Sequence, residues 1–173
     1  CMFANFQYAY LLGNLFFLLV WIILFIYRRD LRRKMLVMSL VVAPMGPLSQ
    51  LFYLRDYWQP QLFNGWLIGI EDLLFGFVIG GIAAVIYEEL FGKKYMKRHL
   101  TAHPKWMFGV ALFGIAWMYI GSMVLGFNSI YVSIFGFLII GASILFTRHD
   151  LLKDALFSGL LMGGLMLIFY FVF

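Results

Sequence analysis

Long apolar runs broken by clusters of basic residues dominate this chain, and they leave it few folds to choose from. A helix needs about 20 mostly apolar residues to cross a bilayer. Runs of that kind extend from near Tyr8 to Tyr27, from near Met35 to Tyr53 and from Trp66 to Tyr87. Three more follow: Trp106 to near Gly126, then from a tight Asn128-Ser129 turn to Thr147, then Ala155 to Phe173. Composition agrees, with 64% of residues hydrophobic and 12% charged. A soluble domain is near half apolar and about a quarter charged, so this chain lacks the polar surface to cover a water-soluble globule. The expected fold is all-α, a polytopic membrane bundle of about six transmembrane helices. Pro44 and Pro47 are expected to kink the second of them.

Lysine and arginine set the orientation, because basic loops stay on the cytoplasmic side. Loop 28–34 holds Arg28, Arg29, Arg32, Arg33 and Lys34; segment 88–105 holds Lys93, Lys94, Lys97, Arg98 and Lys105; segment 148–154 holds Arg148 and Lys153. Twelve of the thirteen basic residues thus share one side, with Arg55 opposite. The chain is expected in the cell membrane with these three loops cytoplasmic and both ends outside. Its net charge of +5 reads as a topology signal and a contact with lipid headgroups, and no nucleic-acid partner is expected. With one cysteine, no intrachain disulfide is possible. Met2 reads as a natural start, and Cys1 as the mark of a fragment or a frame-extended translation in preference to a lipid anchor. The first run lacks a cleavage site and has its basic residues after it, so it reads as a span and not a signal peptide.

A weak internal repeat is visible. Arg28-Arg29-Asp30-Leu31 returns as Arg148-His149-Asp150-Leu151, and Leu36 and Leu40 are answered by Leu156 and Leu160, an offset of 120. Both copies point the same way, so the repeat is parallel. The implied division is a three-helix domain over 2–90, a basic loop over 91–105, an extra transmembrane helix over 106–127, and a second copy over 128–173. That second copy stops before its own third helix, so either the chain is truncated or a partner supplies the helix.

Glu71 and Asp72 are the only carboxylates inside an expected span. A charge costs at least about 2.5–3.5 kcal/mol at mid-bilayer. Counted from Trp66, the pair sits roughly 7–9 Å below that end of the helix, where the cost is smaller but still needs a reason. Asp72, Gly76, Gly80 and Ala84 form a small-residue stripe that favours close helix packing, while Glu71 shares its side with Phe75 and Val78. Two adjacent buried carboxylates repel when both are ionised, so one is expected to hold its proton and to be available as a general acid. The plainer reading has both snorkel to the outer surface or pair with Arg55.

Before this helix, Tyr57 and Trp58 fit an interfacial aromatic belt, and Asp56 reads as a cap or a partner of Arg55. Glu88 and Glu89 are expected to pair with lysines at the cytoplasmic surface. His99, His103 and His149 lack metal-ligand spacing, so no metal is expected. The glycines form no phosphate-cradling loop, and Gly159-x-x-x-Gly163 in the last helix reads as a packing signal. Ten methionines and twenty phenylalanines would suit a long polyene ligand.

From about Tyr8 to Leu90 the chain resembles the lycopene cyclase domain family, integral-membrane carotenoid cyclases of the heterodimeric and fungal bifunctional type. The resemblance is carried by Arg28-Arg29-Asp30-Leu31-Arg32-Arg33, by Arg55-Asp56-Tyr57-Trp58, by Ile70-Glu71-Asp72-Leu73-Leu74-Phe75-Gly76-Phe77, and by Val85-Ile86-Tyr87-Glu88. Gly69 stands where the family has proline, and Asp72 where glutamate is common. Members carry the three-helix domain twice, fused or as two subunits. The resemblance implies a redox-neutral, acid-catalysed cyclisation of the ψ-end of a linear carotene, with no cofactor. Glu71 and Asp72 match the catalytic acids, and Trp58, Phe75 and Asp56 the substrate-binding positions, where ring faces would stabilise a cation. Implied partners are the lipid bilayer, a hydrophobic polyene or isoprenoid substrate, and a second cyclase subunit or a second copy of the chain. Two other readings stand beside it: a non-catalytic carotenoid-binding or partner subunit, and a small transporter that carries protons on Glu71 and Asp72.

Overall fold

The computed structural model describes residues 8–57, 59, 62, 69–91, 104–147, 149 and 152–172, all helical or in connecting turns, with no strand among them. Among the described residues seven α-helices follow in order: α1 (Ala9–Tyr27), α2 (Arg32–Val42), α3 (Met45–Tyr53), α4 (Ile70–Leu90), α5 (Pro104–Met118), α6 (Ser129–Thr147) and α7 (Leu152–Val172). A π-helical segment, Tyr119–Val124, continues α5. Trp58, Trp66, the lysines of 93–97, Arg98, His99, His103, Arg148 and Asp150 lie outside the described residues.

Among the described residues, four helical stretches are long and apolar enough to cross a membrane: Tyr10–Tyr27, Arg32–Tyr53, Ile70–Leu90 and Ser129–Phe146. A shorter apolar stretch covers Leu112–Val124. Their outward faces carry the same message. Leu15, Leu19, Ile22, Ile23 and Ile26 of α1 and Phe135, Phe137 and Leu138 of α6 are exposed. Apolar patches of that extent on a soluble monomer would be an aggregation surface; against lipid they are ordinary.

The second expected span is interrupted at its first proline. α2 ends at Val42, Ala43 caps it by donating to Ser39 O at 2.8 Å, and α3 restarts at Met45. Pro44 has no N–H to continue the α2 ladder, whereas Pro47 falls in the first turn of α3, where none is needed.

The chain divides into two compact units, the first comprising Cys1–Gln50, Gln59–Tyr95 and Lys153–Phe173, the second Leu51–Trp58 and Met96–Leu152. In the first unit α1 and α4 run parallel. Tyr10 meets Asp72 at one end, and Arg28 meets Glu88 and Glu89 at the other. The core between them holds Phe17, Trp21, Leu31, Met35, Val78, Ile82 and Val85, with Met162, Leu165 and Met166 of α7 against it. Trp21 donates to Ser39 Oγ at 3.0 Å and stacks on Phe25 at 4.8 Å.

The small-residue stripe of α4 is where α2 and α3 make their closest approach. A Cβ on Gly76 would come within 2.8 Å of Val42 O, and one on Gly80 within 2.6 Å of Val42 Cβ. Gly46 rides against the Asp72 carbonyl, and Gly81 faces Trp21 Nε1 and Ser39 Oγ. In α7 the expectation fails. No described residue lies within 4 Å of a Cβ built on Gly159 or Gly163, because α7 turns its methionine and leucine face, not its glycine face, to the core.

At the Arg28 end, Arg28 bonds to Asp30 at 3.0 Å and to Glu89 at 2.8 Å, and Lys34 pairs with Glu88. Glu88 and Glu89 therefore engage the first basic loop. Hydrogen bonding to Asp30, and then to Glu89, holds the Arg28 guanidinium above its ordinary value against the opposing effect of desolvation.

In the second unit α5 and α6 form a hairpin. Its turn is set by Gly126, whose φ of +71° suits a residue without a Cβ, and not by Asn128-Ser129. Asn128 instead accepts Ile130 N–H at 3.1 Å and starts α6. Trp117 Nε1 donates to Val132 O at 2.8 Å across the hairpin.

The glycine contacts make a direct prediction. Gly81→Ala and Gly76→Ala should each cost about 1–3 kcal/mol through overpacking. Gly163→Ala, in open space, should be neutral or stabilise by up to about 1 kcal/mol through helix propensity. Unfolding curves of the three variants in detergent micelles provide the comparison; equal effects at all three positions would contradict the packing described.

Candidate functional site at the start of helix α4

The polypeptide enters α4 through Gly69, which is extended at φ −132° and ψ 178°. Gly69 N–H donates to Asp72 Oδ2 at 2.9 Å, and Asp72 N–H donates to Gly69 O at 3.3 Å. An acidic side chain in the first turn thus reaches back to the capping residue.

Helix α1 completes the environment. Tyr10 Oη donates to Asp72 Oδ1 at 3.0 Å. Asn14, four residues on and on the same face, donates Nδ2 to Glu71 O at 3.2 Å. Glu71 and Asp72 are each 2% exposed, Asn14 1% and Gln50 of α3 3%. Neither acid snorkels. Arg55 donates to Ser122 O at 2.7 Å within the second unit. Gln50 lies within hydrogen-bonding reach of the Asp72 carboxyl, and Asn14 within reach of the Tyr10 hydroxyl.

Rings line one side. Phe75 lies 6.1 Å from Tyr10 and 6.5 Å from Phe17, centroid to centroid, the second pair edge to face. Such an arrangement offers both π-faces and a dry surround to a group held beside the acids. Chemically, the site combines a carboxyl pair, a phenol and two amides within apolar walls, which suits proton transfer in a water-poor space.

Of the residues singled out in the sequence, Glu71, Asp72 and Phe75 come together here. Asp56 belongs to the second unit, where it is committed to the start of α6. Its Oδ2 accepts Ser129 N–H at 3.0 Å, its Oδ1 accepts the Ser129 hydroxyl, and its carbonyl accepts Asn128 Nδ2 at 3.2 Å. Trp58 lies outside the described residues. Tyr10, Asn14 and Gln50 are the members that sequence reasoning missed. A signal existed: Asn14 and Gln50 are the only amides in their apolar runs. Polar side chains in a span face partners more often than lipid.

Gly69 suits this entry into α4. A proline at 69 would have no N–H for Asp72, and its ring would hold φ near −65°, far from the −132° observed. Comparison with known protein families, curated protein sequences and solved structures finds no match for the chain.

If Asp56 caps α6, Asp56→Ala should cost about 0.5–2 kcal/mol. Hydrogen exchange in the first turn of α6 should accelerate while α4 amides stay protected. Unchanged protection at Ser129 and Ile130 would contradict the assignment.

Proposed function

We propose that this chain is an integral-membrane cyclase acting on the ψ-end of a linear carotene or a related isoprenoid. The observation that carries the reading is the burial of two adjacent carboxyl groups, Glu71 and Asp72, inside a helix apolar enough to span a membrane. Burial of acids in such a place is costly and characteristically functional. The resemblance of residues 8–90 to carotenoid cyclase domains supplies the reaction class.

In this mechanism the Glu71 carboxyl donates its proton to the terminal double bond of the bound chain. The cation so formed is attacked by the neighbouring double bond, a carbon–carbon bond closes the ring, and a carboxylate removes a proton to set the ring alkene. Proton gained and proton lost balance, so the net change is an isomerisation. Asp72, held by Gly69 and Tyr10, keeps the acid pair in place and is the nearest base. Phe75, Tyr10 and Phe17 offer ring faces to the cation.

The wider arrangement belongs to the same proposal. Six spans would sit in the cell membrane, with loops 28–34, 88–105 and 148–154 cytoplasmic and both ends outside. The second half would be an incomplete parallel copy of the first, completed by a second subunit or a second copy of the chain.

A second reading, a carotenoid-binding subunit without catalysis, draws support from the commitment of both Asp72 oxygens to hydrogen bonds within the fold. Pigment analysis of a lycopene-accumulating bacterium expressing the chain separates the two. Cyclised product is expected from the wild type, and Glu71→Gln should lower its yield by at least about a hundredfold. Undiminished cyclisation by the variant would remove Glu71 as the acid, and pigment bound but unchanged would favour the binding subunit.

A further inference from the structure

The basic loop between α1 and α2 contains two kinds of cation. Three of its five are held inside the fold. Arg28 bonds to Asp30 and Glu89, and Lys34 pairs with Glu88. Arg32 donates Nε to Phe25 O at 2.6 Å and Nη2 to Ile26 O at 3.1 Å, with its guanidinium 5.1 Å from the centre of the Phe25 ring. Arg29 and Arg33 differ. Both are exposed, and neither pairs with a carboxylate among the described residues.

Backbone geometry puts these two on one outward face. The turn from Arg28 to Leu31 is closed by Leu31 N–H donating to Arg28 O at 3.1 Å, and it contains no positive φ. A turn of that kind keeps both central residues in the right-handed helical region, so the chain winds from Arg29 straight into α2. Four residues apart on such a stretch, Arg29 and Arg33 are neighbours. The inward side is fixed by Leu31, Met35 and Ser39, all fully buried. Arg29 and Arg33 each lie two residues from Leu31, about 200° around the helix, and so point away from the core. Their face continues with Leu36, Val37 and Leu40, which are exposed, along a stretch long and apolar enough to cross a membrane. Two guanidinium groups without an acidic partner thus stand at the end of a lipid-facing stripe.

We propose that Arg29 and Arg33 bind the phosphate of an anionic phospholipid, whose acyl chains lie along Leu36, Val37 and Leu40. Charge and geometry select this occupant. A guanidinium matches phosphate oxygens with paired N–H donors, and cations beside an anionic bilayer surface are drawn to it. A zwitterionic lipid carries its own ammonium beside the phosphate and gains less. A second copy of the chain, inserted the same way up, would bring its own Arg29 and Arg33 to the same depth and be repelled. The contact uses no residue of the Glu71 and Asp72 site, so it does not depend on the chemistry proposed there.

The test titrates the full chain in detergent with phosphatidylglycerol or phosphatidylcholine and reads the first bound lipid by native mass spectrometry. The anionic lipid is expected to bind at least about fivefold tighter. Arg29→Gln combined with Arg33→Gln should bring that ratio close to one. Arg32→Gln combined with Lys34→Gln removes the same charge from the same loop and should leave most of the preference in place. Equal binding of the two lipids to the wild-type chain overturns the inference without any variant, and leaves the face to zwitterionic lipid or to a second copy. A preference that survives the first pair of substitutions also overturns it. So does an equal loss with both pairs, each still helical by circular dichroism, because the charge of the whole loop is then the cause.

Discussion

A carboxyl group inside a membrane span has no water to solvate it, so the protein must do so, and in this chain the hydrogen bonds to Asp72 are that solvation. One oxygen is held by the amide that opens α4, the other by the Tyr10 hydroxyl of α1. Those bonds tie the starts of two parallel helices together. The other end of the pair is tied by Arg28 to Glu89, and Lys34 of α2 pairs with Glu88 beside it. Between the two clamps the contact is apolar, and lipid competes with it on equal terms, so close approach through Gly76, Gly80 and Gly81 supplies the packing.

The same bonds shape the site. Because Asp72 is drawn onto Gly69 and Tyr10, it serves as an anchor, while Asn14 grips the backbone of Glu71. The break between α2 and α3 contributes as well. It carries Gly46 onto the Asp72 carbonyl and sets Gln50 beside the carboxyl pair.

Much of the helical architecture was legible from apolar run length, since a span is a continuous stretch and its composition differs from that of its flanks. The extents of α1 and α6 and the break at Pro44 follow from that and from proline chemistry, whereas α4 begins at Ile70 and not at Trp66, because the extended Gly69 and the Asp72 cap set its start. The small-residue stripe from Asp72 to Gly80 was legible too, because helical spacing alone places it on one face. What sequence spacing could not reveal was partner choice. Tyr10 and Asp72 are 62 residues apart, and no local rule joins them. Glycines at 159 and 163 have the same spacing as those at 76 and 80, yet among the described residues only the latter meet a neighbouring helix, because which face turns inward is a tertiary outcome. Asp56 shows the converse: among the roles open to it in the sequence, the structure uses the cap.

The central claim is that a buried hydrogen bond between Tyr10 and Asp72 couples α1 to α4. A double-mutant cycle of Tyr10→Phe and Asp72→Asn, read as unfolding free energy in bicelles, tests it most directly. The account predicts a coupling on the order of 1–3 kcal/mol, since each single change already removes or weakens the shared bond. Additive effects, within about 0.5 kcal/mol, would contradict it and leave the two residues as independent features of separate helices.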